Sequence, residues 1–441
     1  MKKTTILMLV CLLGTMNLFA QTDEMKYRRS SLSMILLESD NFPQKDYVMK
    51  SWNNYPFPDK YNQHDISSKS IDIDGIKLTD EDLKAAGFLK DTLSNVLQIT
   101  KAEAIRPVRY LNDEKTLAFE LPSEKQKYQM KIDKIIKDQK IVNQLVASWF
   151  VKDGKFSMDL VAERGMYNAS EMSASIASGN VMSSASIMDA GKELIQNTFV
   201  TFTKLNYFEN EPAAKLILEA AKVAAGELKT PMQQQAAIKA AELAYEKAKE
   251  GYSLVSKTWL YKLKWSEVEL DAVYKMYNSE DITSDILASD AFSLEFVGNQ
   301  YNTSIVLGGK DLENIIDKAT VRNIDNAFAK LQKQNDVFKP KIPVSSTGPI
   351  MAKIGMKEGI SPGDKFEVLE MTWDEKAGTT TWKSVGKCSV DKKAPIWDNR
   401  YNAGNGPDGE VATDAEGNPI SASQFKGSKK IQVGMLLKQL K

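Results

Sequence analysis

One histidine and two cysteines stand in a chain of 441 residues, and that scarcity settles more chemistry than any motif does. His64 is the histidine. A zinc site built on several imidazoles is therefore out of reach, and a Ser-His-Asp triad has only this ring for its base. His64 lies in Pro58-Asp59-Lys60-Tyr61-Asn62-Gln63-His64-Asp65, a polar stretch behind a proline pair that reads as a surface loop. Cys388 reads as a small buried hydrophobe rather than a reactive thiol. Hydrolysis of glycosidic bonds by two carboxylates needs neither histidine nor cysteine. With 58 acidic residues, however, no spacing singles out a pair. No P-loop, Gly-x-Ser-x-Gly elbow or dinucleotide fingerprint occurs.

Two acidic segments invite a metal reading. Asp72-Ile73-Asp74-Gly75 begins like a calcium loop, but Ile76 occupies the next ligand position, so a turn is expected. The stretch from Asp398 to Asn418 is rich in Gly, Asn, Asp and Glu, yet it lacks the EF-hand spacing and reads as a long solvated loop. The sequence thus assigns no catalytic, cofactor-binding or metal-binding residue.

The N-terminus fixes the compartment to expect. Lys2 and Lys3 precede an apolar run from Ile6 to Phe19, the length of a signal-peptide core and too short to cross a bilayer. Ala20 offers the small residue before a cut, so residues 1–20 read as a cleaved secretory signal and Gln21 as the first mature residue. Cys11 could be a lipid-anchor cysteine, but it follows Met8-Leu9-Val10 without a small residue before it. Cleavage would leave Cys388 alone and rule out an intrachain disulfide. A periplasmic or outer-membrane-associated protein is expected, with no transmembrane segment in the mature chain. Lys+Arg and Asp+Glu both total 58, so no basic field draws in nucleic acid.

The elements that would position any site fall into a mixed α/β pattern. An N-terminal α/β region spans 21–134. In it Ser31 to Leu37 reads as a strand and Gln44 to Trp52 as a helix. Ile71 to Leu78 alternates around an Asp-Gly turn, Thr79 caps a helix with Asp82, Phe88 to Ile99 is helical, and 122–139 is a charged helix. Ile141, Leu145, Val146, Trp149 and Phe150 recur at helical spacing, and Asp153-Gly154 ends that helix. Phe156 to Val161 then reads as a strand, a small-residue segment from Asn168 to Ala190 enters a helix, and Thr198 to Tyr207 is a long strand. Helix, strand, helix, strand implies an α/β layer with right-handed crossovers.

The run "GKFSMDLVAERG", a small-residue helix and "DAGKELIQNTFVTFTKL" resemble the core of the curli-export lipoprotein superfamily. Glu163 and Arg164 match its acidic-basic pair, and Gly191 to Val200 match its second strand approach. The resemblance implies an α/β domain over 135–338 and a place in the cell envelope. Here Thr203-Lys204-Leu205 replaces the superfamily's usual glycine, and its lipid-anchor cysteine is missing. The whole chain also resembles exported Bacteroidetes proteins that carry no assigned function.

Within that domain sits an inserted alanine-rich helical hairpin, 212–251. The first helix carries Leu216, Ile217, Ala220, Ala221, Val223, Ala224 and Leu228 on one broad face. Thr230-Pro231 starts the second, which brings Ala236, Ala237, Ala240, Leu243, Ala244 and Ala248 to one side. Small residues every three or four positions either pack the helices on each other or present a docking surface. Leu216, Ala220, Ala224, Ala237, Ala240 and Ala244 are the residues expected to meet a partner. Membrane insertion would strand Lys222, Glu227, Lys239, Glu242, Glu246 and Lys247 away from water.

Downstream, Trp259, Tyr261, Leu263 and Trp265 alternate with Leu260, Lys262 and Lys264 as a half-buried strand, whose aromatic stripe serves either core packing or glycan faces. Phe292, Leu294 and Phe296 form another strand, Val321 to Gln334 an amphipathic helix, and 339–343 a linker. The remaining 344–441 reads as a small all-β barrel domain with strands at 350–354, 365–371, 379–385 and 430–437. Its Gly355 to Val368 segment looks like the barrel that ends flagellar-assembly protein T, a resemblance that implies a fold and no chemistry. The expected fold is therefore a central α/β sandwich with an inserted helical hairpin and a C-terminal β-barrel. The expected function is a non-catalytic envelope protein that binds or scaffolds other envelope components, or itself, as an accessory to export or surface assembly. Glycan is a further expected partner, no cofactor is implied, and a two-carboxylate carbohydrate hydrolase is the alternative.

Overall fold

The computed structural model describes residues 27–38, 44–86, 108–111, 116–119, 124–164, 183–307, 311–374, 379–404, 411–414 and 417–440. Residues 1–20, read as a secretory signal, and 88–99, read as helical, lie outside them, as do most of Asn168 to Ala190 and part of the stretch 398–418.

A mixed sheet forms the centre. β1 (Ser31–Glu38) lies between β8 (Thr198–Glu209) on one side and the short β2 (Asn62–Gln63) and β3 (Ser70–Asp72) on the other, parallel to all three. From β8 the sheet continues antiparallel through β9 (Gly251–Leu263) to the edge strand β10 (Leu294–Leu307). Crossover connections thus serve only the β1 side, and β8, β9 and β10 form a meander. That departs from the helix-strand-helix-strand layer expected.

Both faces of the sheet are covered, so neighbouring residues along its central strands are buried on either side. One face sets Leu32, Leu36, Phe199, Leu205, Leu254 and Leu260 under α1 (Lys45–Asn53) and the long helix α10 (Leu312–Gln334). The other sets Ile35, Leu37, Val200, Phe202, Trp259 and Tyr261 against α3 (Glu124–Asp138) and α4 (Ile141–Phe150). β9 is therefore buried on both faces from Ser256 to Tyr261 and not the half-buried strand its alternation suggests: Leu260 is as deep as Trp259. The small helix α2 (Asp80–Ala85) starts at the expected capping box, with the Thr79 N–H donating to Asp82 Oδ2 at 2.7 Å. Asp72 accepts from the N–H groups of Asp74 and Gly75, so the Asp-Gly turn forms, but no strand follows it.

Three further expectations need correcting. The strand over Phe156 to Val161 does not form. β7 (Lys155–Phe156) makes only a two-residue ribbon with β6 (Val151–Lys152), and residues 159–164 turn into a helix whose start Ser157 caps by accepting from the Asp159 N–H. The β10 strand runs far beyond Phe296. The linker at 339–343 already belongs to the barrel, since β11 (Lys341–Thr347) begins in it and Pro343 pairs with Leu436. A second ribbon, β4 (Val108–Leu111) with β5 (Thr116–Phe119), completes the N-terminal part.

The C-terminal region closes into a six-stranded barrel: β11, β12 (Ile350–Ala352), β15 (Ser423–Gly427), β14 (Thr379–Val390), β13 (Lys365–Asp374) and β16 (Leu436–Gln439). Its core holds Val344, Phe366, Val368, Val390, Phe425, Leu437 and Cys388, whose thiol burial pushes up to about 12. Gly363 sits at φ 90°, a conformation open to glycine, where the chain turns into β13. Gly355 is needed for a different reason. A Cβ there would collide with the Trp397 carbonyl and the Asn399 side chain. Gly355→Ala is expected to cost about 1–3 kcal/mol, read as a lower urea midpoint; an unchanged midpoint would contradict the close approach.

Barrel and sheet form one packed body. Tyr61 stacks on Phe338 at 4.9 Å and donates to its carbonyl at 2.8 Å. Arg322 on α10 donates to the Tyr401 carbonyl at 2.8 Å, and Tyr401 returns a bond to Asp317 at 2.8 Å. Lys341 of β11 pairs with Glu193 of α5 (Ser183–Gln196) at 3.2 Å.

Candidate functional site

The hairpin leaves the sheet between β8 and β9 as α6 (Glu211–Gly226) and α7 (Pro231–Ala248). Thr230 caps α7 by accepting from the Gln233 N–H at 3.3 Å, and Pro231 occupies the first turn, where its missing N–H costs nothing. α6 buries Ala214, Leu218 and Ala225, and α7 meets it with the half-buried Ile238, Ala241 and Tyr245. Lys222 and Glu242 bridge the helices at 3.8 Å, and Tyr245 donates to Glu211 at 3.3 Å. These polar links lie along one flank of the pair.

The other flank is apolar and uncovered. Helical periodicity lines up Ala213, Ile217, Ala220 and Ala224 on α6, and Ala236, Ala240 and Ala244 on α7. Ile217 is 70% exposed; at the margins Leu216 is 74%, Val223 72% and Met232 83% exposed. Of the residues expected to meet a partner, Leu216, Ala220, Ala224, Ala240 and Ala244 are exposed and Ala237 is half-buried. The helices pack through a different set, so this flank is not spent on holding the hairpin together. Such concentrations of exposed apolar side chains mark interaction surfaces in soluble proteins. No helix among the described residues is long and apolar enough to cross a membrane.

A second constellation looks catalytic at first sight. His64 is fully buried, contrary to the surface loop expected of it. Its Nε2 lies 2.6 Å from Ser148 Oγ and 3.1 Å from the Leu145 carbonyl, while its ring stacks on Trp149 at 4.7 Å. Arg164 reaches Nδ1, and its guanidinium lies 4.3 Å from the centre of the Trp149 ring. A guanidinium only donates, so Nδ1 must accept and the ring proton sits on Nε2. Ser148 then accepts from His64 and donates to the Leu145 carbonyl at 2.9 Å. That is the reverse of a nucleophile facing a base. Burial first, and the Arg164 charge second, hold the imidazole down to about 3, so it is neutral at physiological pH. The cluster pins the β2 loop to α4 and the 159–164 helix. In that helix Glu163 turns outward to Lys152 at 2.9 Å, apart from Arg164. The four residues that contact His64 lie about eighty to a hundred positions away, which no local pattern reveals.

A third cluster lies where α10 meets the barrel. Asp325 is buried, accepts from the Tyr55 hydroxyl at 2.7 Å and lies 3.8 Å from Lys357 Nζ. Burial raises its carboxyl to about 6 against the pull of Lys357, and the carboxylates of Glu358 and Asp59 push the same way as burial. Glu358 itself accepts from the Gly355 N–H at 2.8 Å and from Asn399 at 2.9 Å. The Asp325–Lys357 pair ties α10 to the barrel, while the Glu358 bonds stay within the C-terminal region. Among the described residues no group of three or more His, Cys, Asp or Glu side chains could hold a metal ion.

The aromatic stripe of β9 is core: Trp259 and Tyr261 are buried. A search against protein-family models finds no match, and a search of curated proteins finds none either.

Proposed function

We propose that this chain is a non-catalytic cell-envelope protein that binds or scaffolds other envelope components through its helical hairpin. The supporting observation is the uncovered apolar flank built from Ile217, Ala220, Ala224, Ala240 and Ala244. Burying such a flank contributes roughly 25 cal/mol per Å² of apolar surface removed from water. An interaction that covered it would gain what the free chain forgoes. Balanced charge along the hairpin suits a protein partner better than an anionic lipid surface, which favours Lys/Arg-rich polar faces.

The N-terminal signal pattern supplies the address in this reading: export, then work in the periplasm or at the outer membrane. The closed barrel suits the fold that the likeness to flagellar-assembly protein T implies. The likeness to curli-export lipoproteins suits an accessory role in export or surface assembly.

Replacing 212–251 by a short flexible linker is expected to leave a folded chain, because α6 and α7 pack chiefly on each other and join adjacent antiparallel strands. The deleted protein should melt within a few degrees of the parent by circular dichroism. It should lose the complexes that cross-linking in intact envelopes detects for the parent. Unchanged cross-linked species would refute the docking role. Intact-mass measurement of the exported protein, expected to begin at Gln21, tests the address separately.

A further inference from the structure

A groove runs along α3 on the side facing β9 and β10, and its lining has a chemistry the hairpin lacks. Gln126, Gln129 and Asp133 sit at spacings of three and four on α3 and so share one helix face. The opposite wall carries Tyr261, Phe296 and Asn299. A second hollow continues it along the helix, sharing Asp133, Tyr261 and Leu294 and extending to Lys137 and Asp290.

A defect in the edge strand builds the wall. Phe296 pairs with Tyr261, and Asn299 pairs with Trp259, with a register shift between Phe296 and Gly298. Tyr261 and Trp259 are two residues apart and share a face. Phe296 and Asn299 are three apart and would point to opposite faces of a regular strand. The bulge restores them to one face, a known use of bulges beside binding sites. Phe296 remains 48% exposed there, edge-on to Tyr261 at 5.5 Å between ring centres.

The polar groups are already set. The Tyr261 hydroxyl donates to Asp133 Oδ1 at 2.8 Å, and the Gln129 amide donates to Tyr261 and, at 3.2 Å, to Asp133. Such a network fixes the side chains before a ligand arrives, which lowers the ordering cost of binding. Planar carboxamide and carboxylate groups bridge neighbouring hydroxyls with paired bonds. An exposed aromatic face accepts the C–H surface of a sugar ring. The groove is long and open, and it sets the polar groups of α3 and Asn299 beside the apolar surfaces of Phe296, Tyr261 and Leu294, a mixed lining that suits the hydroxyl edges and C–H faces of a sugar chain.

We infer that this groove is a binding site for a neutral oligosaccharide chain, with Phe296 as the stacking platform and Gln126, Gln129, Asp133 and Asn299 as the hydroxyl-reading groups. The probes are hexasaccharides of glucose, mannose, galactose and N-acetylglucosamine, titrated calorimetrically into the mature chain. At least one is expected to bind with a Kd below a few millimolar. Phe296→Ala and Asn299→Ala should each weaken it tenfold or more while the melting temperature stays within 2–3 °C of the parent, since both side chains are at least partly exposed. The hairpin deletion should leave this affinity unchanged, which separates the site from the docking role. No binding by any probe up to 10 mM overturns the inference. So does binding that both substitutions leave intact, or displacement of the sugar by an unrelated extended peptide of equal length.

Discussion

Asp325→Asn is expected to make the protein more acid-labile than the parent between pH 6 and pH 4. Two buried groups titrate in opposite senses. His64 falls from its ordinary 6.5 to about 3 on folding. Between those values the unfolded chain binds the extra proton, so stability falls as pH drops, by about 1.4 kcal/mol per unit. Asp325 rises from 3.8 to about 6. Between those values the native state holds the extra proton, so stability rises as pH drops with a similar slope. From pH 6 to pH 3.8 the two contributions cancel. Asparagine can still accept from Tyr55 but cannot titrate, leaving the histidine contribution unopposed. From pH 6 to pH 4 the variant should lose about 3 kcal/mol more than the parent does, measured by urea denaturation across the range. His64→Gln should show the mirror image, becoming more stable as pH falls through the same window. If the asparagine variant runs parallel to the parent, the carboxyl does not carry the assigned shift.

Phe338→Ala is expected to cost about 3–5 kcal/mol, the range for emptying a buried phenylalanine site. Phe338 is almost fully buried and meets Tyr61 at 4.9 Å, Phe199 at 5.0 Å and Phe328 at 5.9 Å. Those three rings come from the β2 loop, β8 and α10, so the ring plugs the joint at which sheet, helix and barrel meet. Tyr61 would keep its bond to the carbonyl of residue 338 but lose its stacking partner. The loss should appear as a lower urea midpoint; a drop below 1 kcal/mol would mean the neighbours close over the gap. Leucine at the same position should recover more than half of the loss.

Much of this architecture could be read from local pattern. The caps at Thr79 and Thr230, the periodicity of Ile141 to Phe150, the long strand from Thr198 and the paired hairpin helices all follow from contacts within a few residues. So does the glycine turn that leads into β13. The readings that failed depended on distant partners. His64 looks solvated beside Gln63 and Asp65, and only Trp149 and Arg164 turn that position into a core site. Phe156 to Val161 alternates like a strand, yet only Phe156 pairs, with Val151, and Ser157 starts a helix instead. Leu260 follows the polar side of an alternating pattern and is nevertheless buried, because β9 has a layer on each face. The groove was least legible of all. Its two key side chains are three apart in sequence, and it takes a bulge, visible only in the pairing register, to put them together. The hairpin lay at the other extreme, with its alanine spacing plain in the sequence and only its exposed side left to geometry.

The position of β1 bears on how the chain can come to be folded at all. Its long parallel partner, β8, begins more than 160 residues later, with Ser31 paired to Thr198. Closing so long a loop is slow compared with forming a helix or a hairpin. The β8-β9-β10 meander and the hairpin within it can form from nearby sequence. The leading strand then has to find a slot that exists only once they are in place. Until then its apolar run has only the short β2 and β3 beside it and leaves the β8 side open, a substrate for chaperones and a hazard for aggregation. A chain arranged this way cannot complete its central sheet until Leu307 has been made.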